Sequence, residues 1–187
     1  MQQIDLMVIN ATQLVTCASD KRAVRGKDMQ DVGIIENGAL AVHEDMIVET
    51  GETSTLQDKY LAKTVIDATG KTIIPGLVDC HTHTPYAGNR YDEFEMRIQG
   101  HTYMEIMQAG GGIMSTVRQT RNTSIDDLIE LSKARLNAMM QLGTTTAELK
   151  TGYGLSTEAE TRQMQTICAL RERLAMRIVP TFLGAHT

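Results

Sequence analysis

The chain has only three prolines and three cysteines in 187 residues, and no run of about 18 uncharged apolar residues. Each shortage excludes something. Gly plus Pro stays near ordinary usage even with 15 glycines, and the 42% hydrophobic fraction is close to the globular average, so a disordered or low-complexity chain is excluded. Cys17, Cys80 and Cys168 are odd in number and scattered, with no CxxC pair, which argues against a disulfide framework and suits a reducing, cytoplasmic compartment. A single domain of this length buries roughly 70% of its unfolded surface and needs no such staples. The missing apolar run argues against a membrane span. The start, Met1-Gln-Gln-Ile-Asp, lacks the basic and apolar regions of a signal peptide, so export is not expected. A net charge of −5 without clustered Lys and Arg argues against a nucleic-acid partner. The 12 methionines, among them Met107, Met139, Met140 and Met164, fall in apolar periodic segments and read as core filler.

What is present divides into two textures. Up to about Ile66 there are short β-rich runs: Ile4 to Ile9, Gly33 to Ile35, Ala39 to Val42 and Met46 to Glu49. Glu36-Asn37-Gly38 reads as a hairpin turn between them. From Lys71 strands alternate with long helical patterns, the signature of βαβ units and a parallel sheet. Thr72 to Asp79 is almost continuously apolar, as in a strand buried on both faces. Helical patterns follow at Tyr103 to Arg118 and from Ser124, where Ser124 and Asp127 predict a capping box and Gly143 a stop. Thr144 to Leu149 is the next expected strand. Thr157 and Glu160 predict a second capping box, opening a helix to about Leu174, and Arg177 to Gly184 is a third strand. No repeat of fixed period is present. Residues 72–187 amount to less than half of the roughly 250 that a (β/α)₈ barrel takes. The expected domains are 1–66, a small β unit, and 67–187, the first part of a barrel.

His81 and His83 stand two apart at the end of the apolar strand, so their side chains share a face and both imidazoles can reach one metal ion. The C-terminal end of a parallel strand is where barrel enzymes keep their active sites. An isolated His-x-His is as often a merely hydrogen-bonded pair. Cys80 and Thr82 should face the opposite way, and Cys80 reads as a packing residue. On the residues alone, Arg90 reads more readily as an ion-pair partner of Asp92 or Glu93 than as a ligand-binding group. Tyr153, between Gly152 and Gly154, has little bulk around it and suits presentation to a ligand, or else packs on a neighbouring turn. His186 is either a solvated residue or a group at a strand end. The Gly110 to Gly112 run lacks the lysine and hydroxyl of a phosphate loop and reads as a helix break or a close backbone approach. His43 and His101 read as structural.

The run from Val65 through Ile74-Pro75-Gly76-Leu77-Val78-Asp79-Cys80-His81-Thr82-His83 resembles the metal-binding entry of the amidohydrolase superfamily. Those enzymes are metal-dependent hydrolases on a (β/α)₈ barrel beside a small β-sandwich. More narrowly, four ordered stretches, Tyr86 to Phe94, Gly110 to Val117, Glu148 to Leu155 and Phe182 to His186, are similar to the imidazolonepropionase family of histidine degradation. The similarity covers essentially the whole chain. It implies an incomplete TIM barrel of about three strands with a partial β-sandwich, His81 and His83 as metal ligands, and Arg90, Tyr153 and His186 on the substrate. It implies one divalent Zn or Fe ion per complete site, because imidazole suits both. The reaction implied is hydrolysis of 4-imidazolone-5-propanoate to N-formimidoyl-L-glutamate by an activated water, with acid/base groups and further ligands expected beyond residue 187, and a homodimer for the complete enzyme. A guanidinium such as Arg90 suits the propionate tail of that substrate. His101 departs from the small residue expected in the family, and Lys150, which follows the second barrel strand, is given no metal role. Two alternatives remain: another aminohydrolase acting on a heterocyclic base, against which a carboxylate clamp argues, and an inactive metal-binding fragment.

Overall fold

The computed structural model describes residues 1–19 and 22–187. The chain divides into two compact units, Met1–Pro75 and Gly76–Thr187. No helix among the described residues is long and apolar enough to cross a membrane.

The first unit is built on one sheet. Strand β1 (Gln2–Val15) pairs antiparallel with β2 (Ile34–His43), which pairs antiparallel with β3 (Met46–Glu52). On its other side β1 pairs in parallel with β4 (Tyr60–Asp67) and, further along, with the two-residue β5 (Thr72–Ile73). Helix α1 (Thr53–Lys59), which the strand-rich texture did not predict, links β3 to β4. Its Leu56 is fully buried with Ile4, Met7, Ala39 and Ala41, so one short amphipathic turn closes the sheet's apolar face. Among the described residues this unit holds a single sheet and no second sandwich layer.

Two sequence expectations shift here. The segment Glu36-Asn37-Gly38 lies inside β2, and the β2–β3 hairpin is turned by Glu44 and Asp45, both at positive φ (49° and 63°). That is the backbone of a two-residue primed turn. Strand β1 outruns the expected Ile4 to Ile9 because a bulge between Val8 and Ala11, with Asn10 at φ 59°, lets pairing continue.

Asp5 ties this sheet together electrostatically. It accepts from Lys63 Nζ at 2.7 Å and from the Glu44 backbone N–H at 2.9 Å, and it lies 2.9 Å from His43 Nδ1. The Lys63 hydrogen bond first, then the backbone one, hold its carboxyl well below the usual carboxylate range. A carboxyl depressed on folding stabilises the folded state above its unfolded pKa, near 3.9, and that contribution is lost as pH falls toward the folded value. We expect acid unfolding of this unit below about pH 4 to be shallower in Asp5→Asn than in the parent, as followed by far-UV circular dichroism. Identical acid limbs would show that Asp5 contributes nothing.

The second unit carries an open parallel sheet in the order β6 (Leu77–Thr82), β7 (Thr144–Lys150), β8 (Arg177–Thr181). Between β6 and β7 lie α2 (Tyr91–Ile98), α3 (Tyr103–Gln108), α4 (Ile113–Asn122) and α5 (Ile125–Gln141), and α6 (Thr157–Arg173) joins β7 to β8. The expected strand Thr72 to Asp79 is divided: Thr72–Ile73 pair with Gln13 and Leu14 of the first unit, and β6 starts only at Leu77. Ala68 packs with Ala11 and Leu14, so residues 67–75 belong with the small sheet. Leu77 and Val78 are 48% and 66% exposed, against the expectation of a strand buried on both faces, because β6 has a neighbour on one side only.

The core of this unit is the layer between sheet and helices. Leu136 of α5, Ala147 and Leu149 of β7, and Ile167 and Leu170 of α6 are all fully buried together. Each large side chain there contributes about 1.5–3 kcal/mol by leaving water. Since Ala147 and Leu149 face the helices, strand alternation turns Glu148 and Lys150 to the opposite face of β7. Ser124 caps α5, accepting from the Asp127 N–H at 3.1 Å, but the expected box is only half made, because the Asp127 carboxylate takes the Ser124 hydroxyl at 2.6 Å. The cap of α6 is Ser156, one residue before the expected Thr157. Glu160 takes no part in it because its Oε1 already accepts the backbone N–H groups of Gly154 (2.6 Å) and Leu155 (2.8 Å).

Candidate active site

Parallel strands deliver their C-terminal ends to one rim. His81 is the penultimate residue of β6, and His83 lies one residue past its end. The two rings are on one side of the chain, with centroids 5.5 Å apart. The loop after β7 brings Tyr153 to 5.2 Å from the His83 ring, and the loop after β8 stacks His186 on His83 at 4.4 Å and 15°. Tyr153 and His186 lie edge to face at 5.6 Å, and Tyr86 stands 6.2 Å from Tyr153. The geometry therefore gathers four of the five sequence-predicted site residues around His83.

The Tyr153 loop is held from behind by α6. Gln163 is buried, and its Oε1 accepts the N–H groups of Gly152 and Tyr153, both at 3.2 Å, while its Nε2 donates to the Pro85 carbonyl at 2.6 Å. One amide thus links the loop after β6 to the loop after β7. Gly152 has to be glycine: its φ is 126°, and a Cβ there would lie 2.8 Å from His186 Nδ1. That nitrogen donates to the Gly152 carbonyl at 3.0 Å, since a carbonyl can only accept, and the other ring nitrogen, Nε2, is left as an acceptor.

His83 is the electrostatic oddity of the site. Both of its ring nitrogens are buried without a hydrogen-bond partner, although buried polar atoms are normally paired. Burial first, and then the electrostatic cost of a second cation next to the His186 ring, push its pKa below the usual imidazole range, so at neutral pH the ring keeps its lone pair. The Thr151 backbone offsets this in part without making a hydrogen bond of good geometry. A neutral imidazole with an orphaned nitrogen beside a second imidazole is a suitable pair of donors for a divalent transition metal. Among the described residues no group of three or more His, Cys, Asp or Glu side chains is placed to hold such an ion, so the pair fits as part of a ligand set.

Arg90 stands on the wall of a cavity of about 670 Å³ that is also lined by His83, Tyr86, Arg135 and Tyr153. Its expected alternative, an ion pair, is also realised: Nε donates to Glu93 Oε1 at 2.8 Å and Nη2 donates to Oε2. The pair is not a surface one, because Glu93 is only 7% exposed. Cys80 is exposed, not packed as its strand position suggested, since nothing covers that stretch of β6. Lys150 Nζ is bound to Glu148 Oε1 at 2.6 Å, and Thr181 Oγ1 donates to the same oxygen at 2.7 Å. His43 is paired with Asp5 in the small sheet, and His101 stands 3.8 Å from Glu105.

Sequence reasoning gave no place in the site to Tyr86, Arg135 and Gln163, and gave Glu160 only a helix cap. The Arg135 guanidinium lies 3.8 Å over the Tyr86 ring and its Nη1 donates to the Thr84 and Tyr86 carbonyls. These side chains sit mid-helix or in a loop at positions that an amphipathic pattern assigns to surface or core. Only a polar residue on the stripe that α6 buries, such as Gln163 in line with Ala159, Ile167 and Leu170, offered a signal.

No protein-family model matches the chain. An imidazolonepropionase of Chloroflexus aggregans is 47% identical over 186 residues, covering 100% of this chain and 44% of that protein. One from Geobacillus kaustophilus is 47% identical over 97% of this chain and 44% of its own length, and one from Alkaliphilus oremlandii is 43% identical over 98% and 44%. The chain thus spans 44% of the length of these curated relatives. Among solved structures, an adenosine deaminase from Xanthomonas campestris with bound zinc superposes with a TM-score of 0.62 at 16% identity, over 95% of this chain and 34% of that one. Escherichia coli guanine deaminase gives 0.61 at 20%, over 93% and 36%. At such identities the likeness is one of fold. It is the fold of the amidohydrolase TIM-barrel enzymes, an incomplete barrel with an N-terminal domain, and the described residues of the second unit carry three parallel strands of it.

Proposed function

From the relation of this chain, along its whole length, to the imidazolonepropionases, we propose that it carries the first part of a metal-dependent hydrolase site that opens the ring of 4-imidazolone-5-propanoate to N-formimidoyl-L-glutamate. The observation that supports this best is the His83 imidazole, neutral and unpartnered on both nitrogens, on the wall of the same cavity as Arg90. A cationic group and a metal-competent ring in one cavity suit a small substrate that has a carboxylate at one end and a hydrolysable amide at the other.

His81 and His83 would hold a divalent ion, zinc or iron, together with ligands from outside the described residues. Bound there, such an ion supplies Lewis acidity toward a water and toward an amide carbonyl. The rest falls to this chain's own groups. The Arg90 guanidinium takes the propionate. The Tyr153 ring and hydroxyl bear on the imidazolone from the loop after β7. His186 donates through Nδ1 to the Gly152 carbonyl, so it meets the substrate with Nε2 as an acceptor for a ring N–H. The small sheet and the barrel part are read as separate domains of a cytoplasmic enzyme.

In the full-length enzyme, Arg90→Ala should raise KM for the carboxylate substrate about ten- to a hundredfold, the worth of a charge-assisted hydrogen bond of about 1.5–3 kcal/mol. It should do little to the KM of the carboxamide analogue. Steady-state kinetics on both compounds decide this. Unchanged discrimination in the variant would remove Arg90 from the substrate, and turnover of a purine base by the parent would favour an aminohydrolase instead.

A further inference from the structure

We propose that Glu93 is a positioning residue that presents Arg90 to a carboxylate ligand, and that the Gly110–Gly112 run brings a backbone N–H onto the same carboxyl group. The proposal rests on the reading of Arg90 as the carboxylate-binding residue and explains how its guanidinium is aimed.

Arg90 is the N-cap of α2 and Glu93 lies in that helix's first turn. One carboxylate collects three donors: Arg90 Nε (2.8 Å) and the Gly112 N–H (2.9 Å) on Oε1, and Arg90 Nη2 on Oε2. Two of these donors are charge-assisted and all converge on a side chain withdrawn from water, where an unpaired carboxylate would be costly. Arg90 first, and the Gly112 N–H in addition, hold the Glu93 carboxyl below the usual carboxylate range, so it stays ionised.

The geometry consumes one edge of the guanidinium. With Nε and Nη2 turned to Glu93, the end-on edge formed by Nη1 and the second Nη2 hydrogen is the one left for a ligand. Arg90 lines the main cavity whereas Glu93 is not on its wall, so Glu93 meets that cavity only through Arg90. An arginine side chain is long and rich in rotamers, and fixing one of them before binding lowers the entropy that a ligand must otherwise overcome.

The glycine run fits the same design. Gly112 has φ 74° and caps α4 with its N–H turned toward Glu93. A Cβ at Gly111 would lie 2.8 Å from Ile106 Cγ2 and 3.1 Å from Glu93 Cδ. A residue with a side chain there would push the turn away and take the Gly112 donor with it. Helix α2 and the start of α4 are therefore tied to each other through one buried carboxylate.

A double-mutant cycle in the full-length enzyme tests this, with KM and kcat for the carboxylate substrate and its carboxamide analogue, and a melting temperature, for the parent, Glu93→Gln, Arg90→Ala and the double variant. Glu93→Gln should raise KM for the carboxylate about tenfold with kcat within about twofold, and should leave the carboxamide KM unchanged. The double variant should match Arg90→Ala alone within about twofold, because Glu93 acts only through Arg90. A Glu93→Gln KM equal to the parent's, or effects that multiply in the double variant, would overturn the proposal. If Arg90→Ala itself leaves the carboxylate KM unchanged, it is the reading of Arg90 that fails. Should Glu93→Gln not fold, Glu93→Asp replaces it, since the shorter arm cannot reach Arg90 and Gly112 together and the same KM rise is expected.

Discussion

His83→Ala in the full-length enzyme should bring bound zinc or iron, measured by elemental analysis, down to background, and turnover with it. The side chain is one of the two imidazoles at the C-terminal end of β6, and its ring lies 5.2 Å from that of Tyr153 and 4.4 Å from that of His186. The informative half of the result is stability. Removing a well-packed core side chain costs about 2–5 kcal/mol. His83, however, has two desolvated nitrogens with nothing to bond to, which is a penalty in the metal-free fold. Its removal should leave the melting temperature of the metal-free protein unchanged or raise it, the expected behaviour of a group kept for chemistry at the expense of stability. A variant that melts far lower and still binds metal in full would make His83 a packing residue.

The second large effect concerns the 187-residue chain taken by itself. It should associate in light scattering and open no imidazolone ring with zinc or iron present. Strands β6 and β8 are the two edges of a three-stranded parallel sheet, and their unpaired backbone groups are templates for further pairing. Val78, Val179 and Phe182 add apolar surface there at 66%, 42% and 59% exposure. A catalytic zinc takes three protein ligands, and the described residues place two imidazoles. A monodisperse monomer with turnover would mean that these residues already contain a complete site.

The parts of the fold that were legible in the sequence are those where one local rule acts alone. The two-residue spacing of His81 and His83 places both on one side of β6 whatever surrounds them, and Ser124 caps α5 from within its own turn. The parallel strand order followed from alternating β and α textures. What was hidden depends on partners distant in the chain. Helix α2 carries an apolar stripe of Tyr91, Phe94 and Ile98 that stays exposed, and the side chain it buries is Glu93, whose partners are Arg90 and Gly112. The helical pattern over Tyr103 to Arg118 divides at the Gly110–Gly112 run, which the sequence marks as a helix break or close approach; what it did not show is that the Gly112 N–H is donated to Glu93. The expected strand over Thr72 to Asp79 was divided because Thr72 and Ile73 answer to β1, where Thr72 pairs with Gln13 and Ile73 with Leu14. Apolar continuity alone cannot report a change of partner.

The attachment of the Tyr153 loop to α6 bears on how the site can move. Four successive amides, those of Gly152, Tyr153, Gly154 and Leu155, are donated to just two side chains, Gln163 and Glu160, on the first two turns of that helix. A surface loop ordinarily opens at little free-energy cost, independently of the elements that it joins. This one cannot, because freeing any of its amides means withdrawing a buried carboxylate or carboxamide that belongs to a helix packed through Ile167 and Leu170 into the core. The same amide of Gln163 holds Pro85 on the neighbouring loop. Opening of the Tyr153 loop is therefore coupled to α6, and a ligand meets a loop that is already held in place instead of one that it must order.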